Sequence, residues 1–250
     1  MAAAYDTFDY PSYWIGREYE HKAELLAINS FLSKIKKIGN ILDIGAGFGR
    51  LTPTYIFRAK KIILSDPSSK LLAIAKKQFN KNNVFLIRSS IEKLPLKIKS
   101  NSIDLIIIVR VLHHIENYES AIDTIYKLLK NKGYLILEFP NKLHLKATIA
   151  EFFKGNLTFL LDIFPKDVRS SKSIKNHTLP FYNYHPDVVK SLLKNKGFNI
   201  IDERSVSNVR SPLIKKLLPI ETLLFFERIL QKPLSKISFG PSIFLLVRKE

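Results

Sequence analysis

The chain has 250 residues, 46% of them hydrophobic, which is enough for one α/β domain with a sizeable core. It contains no cysteine, which excludes disulfide bonds and cysteine-ligated metal sites. A net charge of +18 indicates either an anionic partner, such as RNA or an anionic membrane surface, or a compositional bias toward lysine. The longest apolar runs, Leu105–Leu112 and Leu157–Leu161, are too short to span a bilayer.

The N-terminal segment, Tyr5–Tyr19, is rich in aromatic residues, among them Phe8. It either packs as a cap on the first helix or forms a lid over a ligand. The first ten residues carry two aspartates and no basic, apolar leader of the kind that directs secretion, so we expect a cytoplasmic protein. Apolar residues then recur at helical spacing over His21–Lys36, which predicts a helix that faces a sheet.

Three glycines at alternate positions follow a short apolar run in Asn40–Arg50, which reads Asn-Ile-Leu-Asp-Ile-Gly-Ala-Gly-Phe-Gly-Arg. The apolar run predicts a buried strand, and the glycines let the backbone turn sharply and approach a ligand closely. A helix is predicted over Gly49–Arg58, with Pro53 in its first turn. A strand, a glycine loop and a helix in this order are typical of a nucleotide-binding Rossmann unit.

Two charged residues near the glycines narrow the class of ligand. Arg50 stands where the dinucleotide fingerprint requires a glycine, and Asp43 lies two residues before Gly45. A carboxylate close to the loop disfavours a pyrophosphate and suits a cationic amino group. A plain tight turn and an NAD or FAD site are the alternatives that the loop alone leaves open.

The pattern Asp-x-Gly-x-Gly-x-Gly over residues 43–49 resembles motif I of the class I S-adenosylmethionine (SAM)-dependent methyltransferases, most closely the type 11 group. SAM carries a sulfonium and an ammonium group and no phosphate. The resemblance implies an α/β, Rossmann-like, doubly wound seven-stranded sheet, whose last strand, Ser242–Val247, runs antiparallel between the fifth and sixth. It also implies that SAM is bound by Asp43, Gly45, Ala46, Gly47 and Gly49.

A second acid follows the next predicted strand, Lys61–Ser65. Asp66 lies about 20 residues past the glycine loop, where a Rossmann unit places a carboxylate that binds both ribose hydroxyls. Asp66 and Pro67 also precede a predicted helix, Ser68–Phe79, so Asp66 is alternatively the helix N-cap. Both roles are compatible, and we include Asp66 and Pro67 in the cofactor site.

The segment Ser89–Leu96, after a predicted strand at Val84–Ile87, resembles the family's Gly-Asp-Ala-Glu-x-Leu-Pro-Phe segment. In that segment the acid contacts the adenine amino group, and here Ser90 takes its place. A hydroxyl can accept the same hydrogen bond without a charge. The resemblance also implies that the backbone N–H of Ile91 faces the adenine ring.

The apolar run Ile103–Arg110 predicts a central parallel strand. The residues that end it, Val109–Ile115, resemble the family's loop beside the methionine half of SAM, which places Arg110 near the cofactor. His113 is our candidate to take a proton from a substrate, although His114 has the same chemistry. Alternatively, His114 packs under the loop and fixes it by a hydrogen bond.

The resemblance also suggests a role for Arg17 in the aromatic N-terminal segment. If this segment is a lid, Arg17 reaches the SAM carboxylate, because a guanidinium group forms a forked pair with a carboxylate. Further along, a helix is predicted over Tyr118–Lys130 and ends at Asn131–Gly133. A strand follows at Tyr134–Phe139, and its Glu138 matches a common polar position of the family.

Two insertions are predicted in the C-terminal half, residues 141–185 and 209–232, and both are expected to cover the substrate site. The first begins with a helix, Asn141–Lys154, and offers four candidate substrate contacts: His144, His177, Tyr182 and His185. Between the insertions, a helix is predicted from His185 to Lys196 and a strand over Phe198–Arg204.

The second insertion carries apolar residues beside five basic ones, and Pro219 is expected to break or kink it. It is compatible with an amphipathic lid, a dimer face, a membrane-surface helix or ordinary packing on the protein's own core.

We therefore predict one domain, residues 1–250, that transfers a methyl group from SAM to a small-molecule or lipid-like acceptor. The charge supports an alternative, an RNA methyltransferase, and a non-catalytic SAM-binding protein is a third possibility. The sequence lacks a Cys/His zinc spacing and a phosphate-binding Gly-Lys-Ser/Thr loop, so we expect no metal site.

Overall fold

The computed structural model describes residues 4–6, 9–176 and 178–250, so Phe8 and His177 lie outside the described part of the chain. Its strands are β1 (Asn40–Ile44), β2 (Lys61–Asp66), β3 (Val84–Arg88), β4 (Ile103–Ile108), β5 (Leu129–Pro140), β6 (Lys166–Asp167), β7 (Tyr182–Asn183), β8 (Phe198–Val206) and β9 (Ser242–Lys249). Seven of these form the main sheet, in the order β3-β2-β1-β4-β5-β9-β8, and β6 pairs with β7.

The strands β1 to β5 pair in parallel, whereas β9 runs antiparallel to both β5 and β8. This confirms the predicted Rossmann-like sheet with its last strand inserted antiparallel. Parallel neighbours require crossover connections, and α-helices lie in two of the four connections that join β1 to β5 along the chain. The helices are α1 (Glu18–Leu32), α2 (Ser69–Gln78), α3 (Tyr118–Leu128), α4 (Leu145–Phe153), α5 (Ser171–Lys175), α6 (Pro186–Asn195), α7 (Pro212–Leu217) and α8 (Ile220–Ser235).

The central strand β4 shows how the sheet is buried on both faces. Leu105 and Ile107 pack on the side that α1 covers, and Ile106 and Ile108 pack on the side that α3 covers. Successive side chains of a strand point to opposite faces, so a strand covered on both sides needs a continuous apolar run. Full burial of one such side chain stabilises the fold by about 1.5–3 kcal/mol.

The helix predicted over Gly49–Arg58 is wrong. The chain forms one short 3-10 turn, Thr52–Thr54, between other turns. Pro53 donates no hydrogen bond, and the threonines on either side of it are β-branched, which lowers helix propensity.

The predicted end of the helix at Asn131–Gly133 is also wrong, because α3 stops at Leu128 and β5 begins at the next residue. Leu129 is fully buried and pairs with Ile103 of β4. Residues 131–133, whose glycine predicted the end of a helix, therefore belong to a strand of the sheet.

The first predicted insertion starts its helix later than expected, since α4 begins at Leu145. Asn141 is fully buried, and its side-chain amide donates to the carbonyl oxygens of Ser238 and Gly240, at 2.5 and 2.8 Å. In the second insertion, Pro219 separates α7 from α8 as predicted. No helix of the described residues is both long and apolar enough to cross a membrane.

Candidate active site

A cavity of about 320 Å³ lies at the carboxyl ends of β1, β2 and β4. This edge is where open parallel sheets bind ligands, because the connecting loops diverge there. Its wall contains part of the glycine loop, the end of β2, the turn after β3 and the loop after β4. The structure thus brings together most of the predicted cofactor residues, namely Gly45, Gly47, Asp66, Pro67, Ser90, Ile91 and Arg110.

The glycine loop is tied to the end of β2 by its backbone. The N–H groups of Gly45 and Ala46 both donate to the carbonyl oxygen of Ser65, at 2.7 and 3.0 Å. Gly45 has a φ of +70°, and an added Cβ would lie 2.2 Å from Cγ2 of Val111. A side chain at position 45 would therefore strain the backbone and collide with the loop after β4.

The third glycine and Ala46 do not line the cavity wall. Gly49 has a φ of +82°, and a Cβ there would lie 2.5 Å from the Phe79 ring. Gly49 thus allows the loop to pack against the end of α2.

Asp66 joins the glycine loop to the start of α2. Its Oδ2 accepts the N–H of Gly47 at 2.9 Å, and its Oδ1 accepts the N–H of Ser68 at 2.8 Å. The N-cap of α2 is the Ser68 hydroxyl, which accepts from the Leu71 N–H, so the expected N-cap role of Asp66 is wrong. Burial raises the pKa of Asp66, and the two N–H donors oppose this shift. Both oxygens keep lone pairs for further donors such as a vicinal diol.

Asp43, the acid of motif I, is buried outside the cavity wall. Its Oδ2 accepts a hydrogen bond from the Tyr55 hydroxyl, and burial raises its pKa to about 7. The structure therefore does not bring Asp43 together with the residues that line the cavity.

The expected adenine side of the cavity contains Ser90 and Ile91, together with an acid that the sequence reasoning missed. Glu92, two residues after Ser90, lines the wall and is exposed. A carboxylate is thus present near the position where the family's acid is replaced by serine. The Ser-x-Glu spacing was the signal that would have identified it.

The loop after β4 is held by two buried carboxylates. Arg110 has a φ of +62°, unusual for a residue with a side chain, and its N–H donates to Glu138 Oε2 at 2.7 Å. Its guanidinium pairs with Glu24 Oε1, with Nη2 at 2.6 Å and Nε at 2.7 Å. Glu24 Oε2 also accepts from Arg50 Nη2 at 2.6 Å, so one carboxylate links α1, the glycine loop and the loop after β4.

Charge pairing decides the ionisation of Glu24. Burial raises the pKa of its carboxyl, but Arg110 and Arg50 together outweigh burial, so the net shift is downward. The sequence reasoning missed Glu24. The available signal was an acid on the apolar face of α1, between Ala23 and Ala27.

The aromatic N-terminal segment contributes Tyr5 and Tyr10 to the cavity wall. Arg17 does not reach it. The Arg17 guanidinium carbon lies 4.2 Å from the centre of the Tyr13 ring, and the residue is exposed at the start of α1. The tyrosines thus lie where the lid interpretation placed the segment, whereas Arg17 does not line the cavity.

Of the two adjacent histidines, His114 lines the cavity and His113 does not. His114 Nδ1 lies 2.7 Å from the carbonyl oxygen of Pro180, and Nε2 lies 2.6 Å from the Tyr5 hydroxyl. A carbonyl only accepts, so Nδ1 carries the proton and Nε2 accepts from Tyr5. This geometry agrees with the loop-fixing interpretation of His114.

His113 is buried, with its ring centre 4.0 Å from that of His114 and 4.3 Å from that of Phe181. Its Nδ1 has no hydrogen-bond partner among the described residues. Burial, followed by the nearby His114 and Arg110, lowers its pKa well below the ordinary value. The ring is therefore neutral at neutral pH.

The first insertion touches the cavity through Leu179. The other candidate contacts there lie elsewhere. His144 caps α4 and His185 caps α6, each accepting a backbone N–H on its Nδ1 at 3.2 Å, and Tyr182 belongs to β7. None of these three lines the cavity.

Comparisons with known proteins agree with this geometry. The model of a family described as "Methyltransferase domain" (type 11) matches residues 42–137. The chain is 30% identical over 196 residues to a ubiquinone/menaquinone biosynthesis C-methyltransferase of Campylobacter jejuni, covering 74% of this chain and 81% of that protein. It is 27% identical to a protein of the same name from Pseudoalteromonas translucida, covering 79% of each.

A solved SAM-dependent methyltransferase from Archaeoglobus fulgidus shares the fold. The two superpose with a TM-score of 0.59 over 96% of this chain and 100% of that chain, at 16% identity.

Proposed function

Since this chain belongs to the class I SAM-dependent methyltransferases, we propose that it transfers the methyl group of SAM to a small, largely apolar acceptor. The observation that carries the acceptor class is the composition of the cavity wall near the loop after β4. Tyr5, Val111, Ile115 and Leu179 supply apolar and aromatic surface there. Two relatives named as C-methyltransferases of quinone biosynthesis support an acceptor of this lipid-like kind.

We propose that the ribose hydroxyls of SAM bind Asp66, beside Pro67. The adenine would lie against Ser90 and Ile91, with Glu92 near its amino group. The methionine half would then lie along Gly45 and Gly47, toward Arg110. These placements follow the resemblance to the family, and every residue that they name lines the cavity.

The residues of motif I that lie outside the wall receive indirect roles in this proposal. Asp43 would position the loop through its hydrogen bond with Tyr55, and Gly49 through its close packing on Phe79. Ala46 would hold the loop through its N–H on Ser65. Arg110, which is in the wall, replaces Arg17 as the cation nearest the cofactor.

When bound, SAM supplies a methyl group on a sulfonium, which is already a good leaving group. The protein therefore has to hold the acceptor in line and exclude water, and orientation can supply much of the rate. The first insertion would close the cavity at Leu179. The second insertion, α7 and α8, contributes no described residue to the wall, so we narrow the predicted cover to residues 141–185.

An oxygen acceptor would also have to lose a proton. His113 has the right ionisation state but is buried outside the wall. We therefore propose that His114 takes that proton in place of His113 through Tyr5, whose hydroxyl gives its own proton to His114 Nε2 and accepts the proton of the acceptor. A carbon acceptor activated by its own hydroxyl groups would need the same step.

The test is a methyl-transfer assay with radiolabelled SAM against hydroquinones that carry apolar tails, with total RNA as the competing acceptor. Label in the organic phase supports the proposal. Label in RNA supports the alternative function, an RNA methyltransferase, to which the net charge of +18 points. RNA binding should then weaken steeply with salt.

The absence of transfer to either acceptor, with intact SAM binding, would favour a non-catalytic SAM-binding protein. We also retain a cytoplasmic location as a proposal, which cell fractionation tests.

A further inference from the structure

We propose that this protein docks on an anionic lipid bilayer through one surface, formed by α4, residues 154–164, α7 and α8. We call it the docking surface. It is separate from the cavity wall, because none of its described residues lines that cavity. Three observations carry the inference: the inverted polarity of α8, the neighbouring apolar side chains and the basic residues among them.

On the face that packs against the protein, α8 buries Leu223 together with the polar residues Glu227 and Gln231, and several of its large apolar residues are exposed. Glu227 is 1% exposed, and its carboxylate accepts from the Tyr19 hydroxyl and from the N–H groups of Ser207 and Asn208. Gln231, one turn further, is also buried and donates to the carbonyl oxygen of Ala23. A helix that packs on a protein core normally buries apolar residues. The buried face of α8 instead holds the helix to its neighbours largely by the hydrogen bonds of Glu227 and Gln231.

The opposite side of α8 carries Phe225, Phe226, Ile229 and Leu230, of which Phe225 is 59% and Ile229 is 53% exposed. The short helix α7 adds Leu213, Ile214 and Leu217, all exposed. A run of large apolar side chains on one surface is costly in water and indicates an interaction site.

The first insertion places further apolar residues next to α7 and α8. The N–H of Leu145, at the start of α4, donates to the carbonyl oxygen of Phe239, just after α8, at 3.0 Å. Leu145 and Ile149 also share a small cavity with Arg210, which precedes α7. Beyond them, exposed residues continue through Phe152, Phe153, Leu157, Leu160, Leu161, Ile163 and Phe164.

Basic side chains alternate with these apolar residues. Lys146 lies on α4, Lys216 on α7, and Arg228 and Lys232 on α8, all exposed. Within the described part of the chain, none of these four forms an ion pair with an acid. Apolar residues flanked by unpaired lysine and arginine are typical of helices that lie in the interface of an anionic membrane.

Charge also favours a bilayer over a second copy of the chain, because the exposed basic residues of the docking surface outnumber its exposed acids, Asp162 and Glu221. Two copies that met through this surface would bring like charges together, which is unfavourable at an interface. An anionic lipid surface would instead attract the same lysines and accept the apolar side chains. The inference is compatible with the proposed apolar acceptor, because residues 154–164 and the cavity residue Leu179 belong to the same insertion.

Co-sedimentation with lipid vesicles tests the proposal on the full chain, without SAM or acceptor. We expect binding to vesicles of phosphatidylcholine with phosphatidylglycerol, weaker binding to phosphatidylcholine alone, and weakening by salt. The variant Phe225→Ser/Ile229→Ser should bind at least about tenfold more weakly. The control is Phe57→Ser. Phe57 is 84% exposed and lies beside a lysine, Lys81, as the apolar residues of the docking surface do, but it is located near the opposite edge of the sheet.

A charge-reversal variant measures the electrostatic contribution to vesicle binding. Lys216→Glu/Lys232→Glu should weaken binding by at least about fivefold per lysine, whereas Lys76→Glu/Lys77→Glu on α2 should leave most of it intact. Calorimetric SAM binding on the same preparations checks that each variant is folded. Lost vesicle binding with intact SAM binding supports docking, and this result does not depend on whether methyl transfer occurs.

The proposal is overturned if the wild-type chain does not bind anionic vesicles at low salt, or if the Phe225 and Phe57 variants bind alike. It is also overturned if the wild-type chain is a dimer that Phe225→Ser/Ile229→Ser dissociates, because a second copy would then cover this surface.

Discussion

The fully buried Glu24 carboxylate on α1 and the partly buried Arg110 guanidinium after β4 form an ion pair, with Oε1 and Nη2 2.6 Å apart. The two residues are 86 positions apart in the chain. Arg110 is in the cavity wall, and its backbone has an unusual positive φ. A residue in such a conformation persists only where its surroundings hold it, and here Glu24 and Glu138 do so.

We predict that Glu24→Gln destabilises the fold by about 3 kcal/mol, because it leaves two partly buried guanidinium groups without their shared counter-charge. Urea unfolding measures the change. Glu18→Gln, on the exposed start of the same helix, is the control and should change stability by less than about 0.5 kcal/mol. Equal effects of the two substitutions would show that the Glu24–Arg110 pair contributes nothing to the free energy of unfolding.

Asp66→Ala should weaken SAM binding at least tenfold while the protein remains folded. The ribose would lose its hydrogen bonds to a charged carboxylate, and such a bond contributes about 1.5–3 kcal/mol. Isothermal titration calorimetry measures the affinity. Ser68→Ala is the matched control, since it removes the N-cap of α2 and should cost about 1 kcal/mol of stability without a comparable loss of affinity. An unchanged affinity in Asp66→Ala would contradict the ribose assignment.

Gly45→Ala and Gly16→Ala together separate backbone strain from steric collision. Both glycines have a φ near +70°, but a Cβ at Gly16 would meet nothing within 4 Å, whereas one at Gly45 would strike Val111. We expect Gly16→Ala to cost about 1–2 kcal/mol and Gly45→Ala at least about 1 kcal/mol more. The double variant Gly45→Ala/Val111→Ala should recover part of that difference, and strict additivity of the two substitutions would exclude the collision.

The stability of this protein should depend on pH through Asp43. Its pKa is 3.8 as an ordinary side chain and about 7 in the folded protein, where burial raises it. The folded state therefore holds the proton more tightly, and this group contributes less stability as the pH rises from about 4 to about 7, by at most about 1.4 kcal/mol per pH unit.

Asp43→Asn removes this cost, so its stability relative to the wild type should be greater at pH 8 than at pH 5. Urea unfolding of both proteins at the two pH values checks the sign. A relative stability that is the same at both values would show that Asp43 does not ionise in this interval.

The parts of the fold that the sequence predicted rest on local patterns. The apolar run of β4 and the glycines after β1 are short-range signals, and both were placed correctly. Asp66 was likewise placed at the cavity from its spacing alone. The Gly49–Arg58 helix was wrong because Pro53 and its neighbouring threonines disfavour the helix that the order strand, glycine loop, helix predicted.

The parts that could not be predicted rest on contacts between distant residues. No local pattern connects Glu24 to Arg110 or Tyr5 to His114, since these pairs form only when the sheet brings their loops together. The same holds for α8, for which the sequence left a lid, a dimer face, a membrane-surface helix and ordinary core packing open. Its buried polar face is explained only by Tyr19, Ser207 and Asn208, which converge on Glu227.

The most direct test of the cofactor site is a crystal structure of the protein with S-adenosylhomocysteine, the demethylated product of SAM. We predict that the nucleoside occupies the cavity beside Gly45 and Gly47, with both ribose hydroxyls within hydrogen-bond distance of the Asp66 carboxylate. An empty cavity at saturating ligand, or the product bound with its ribose away from Asp66, would contradict the account.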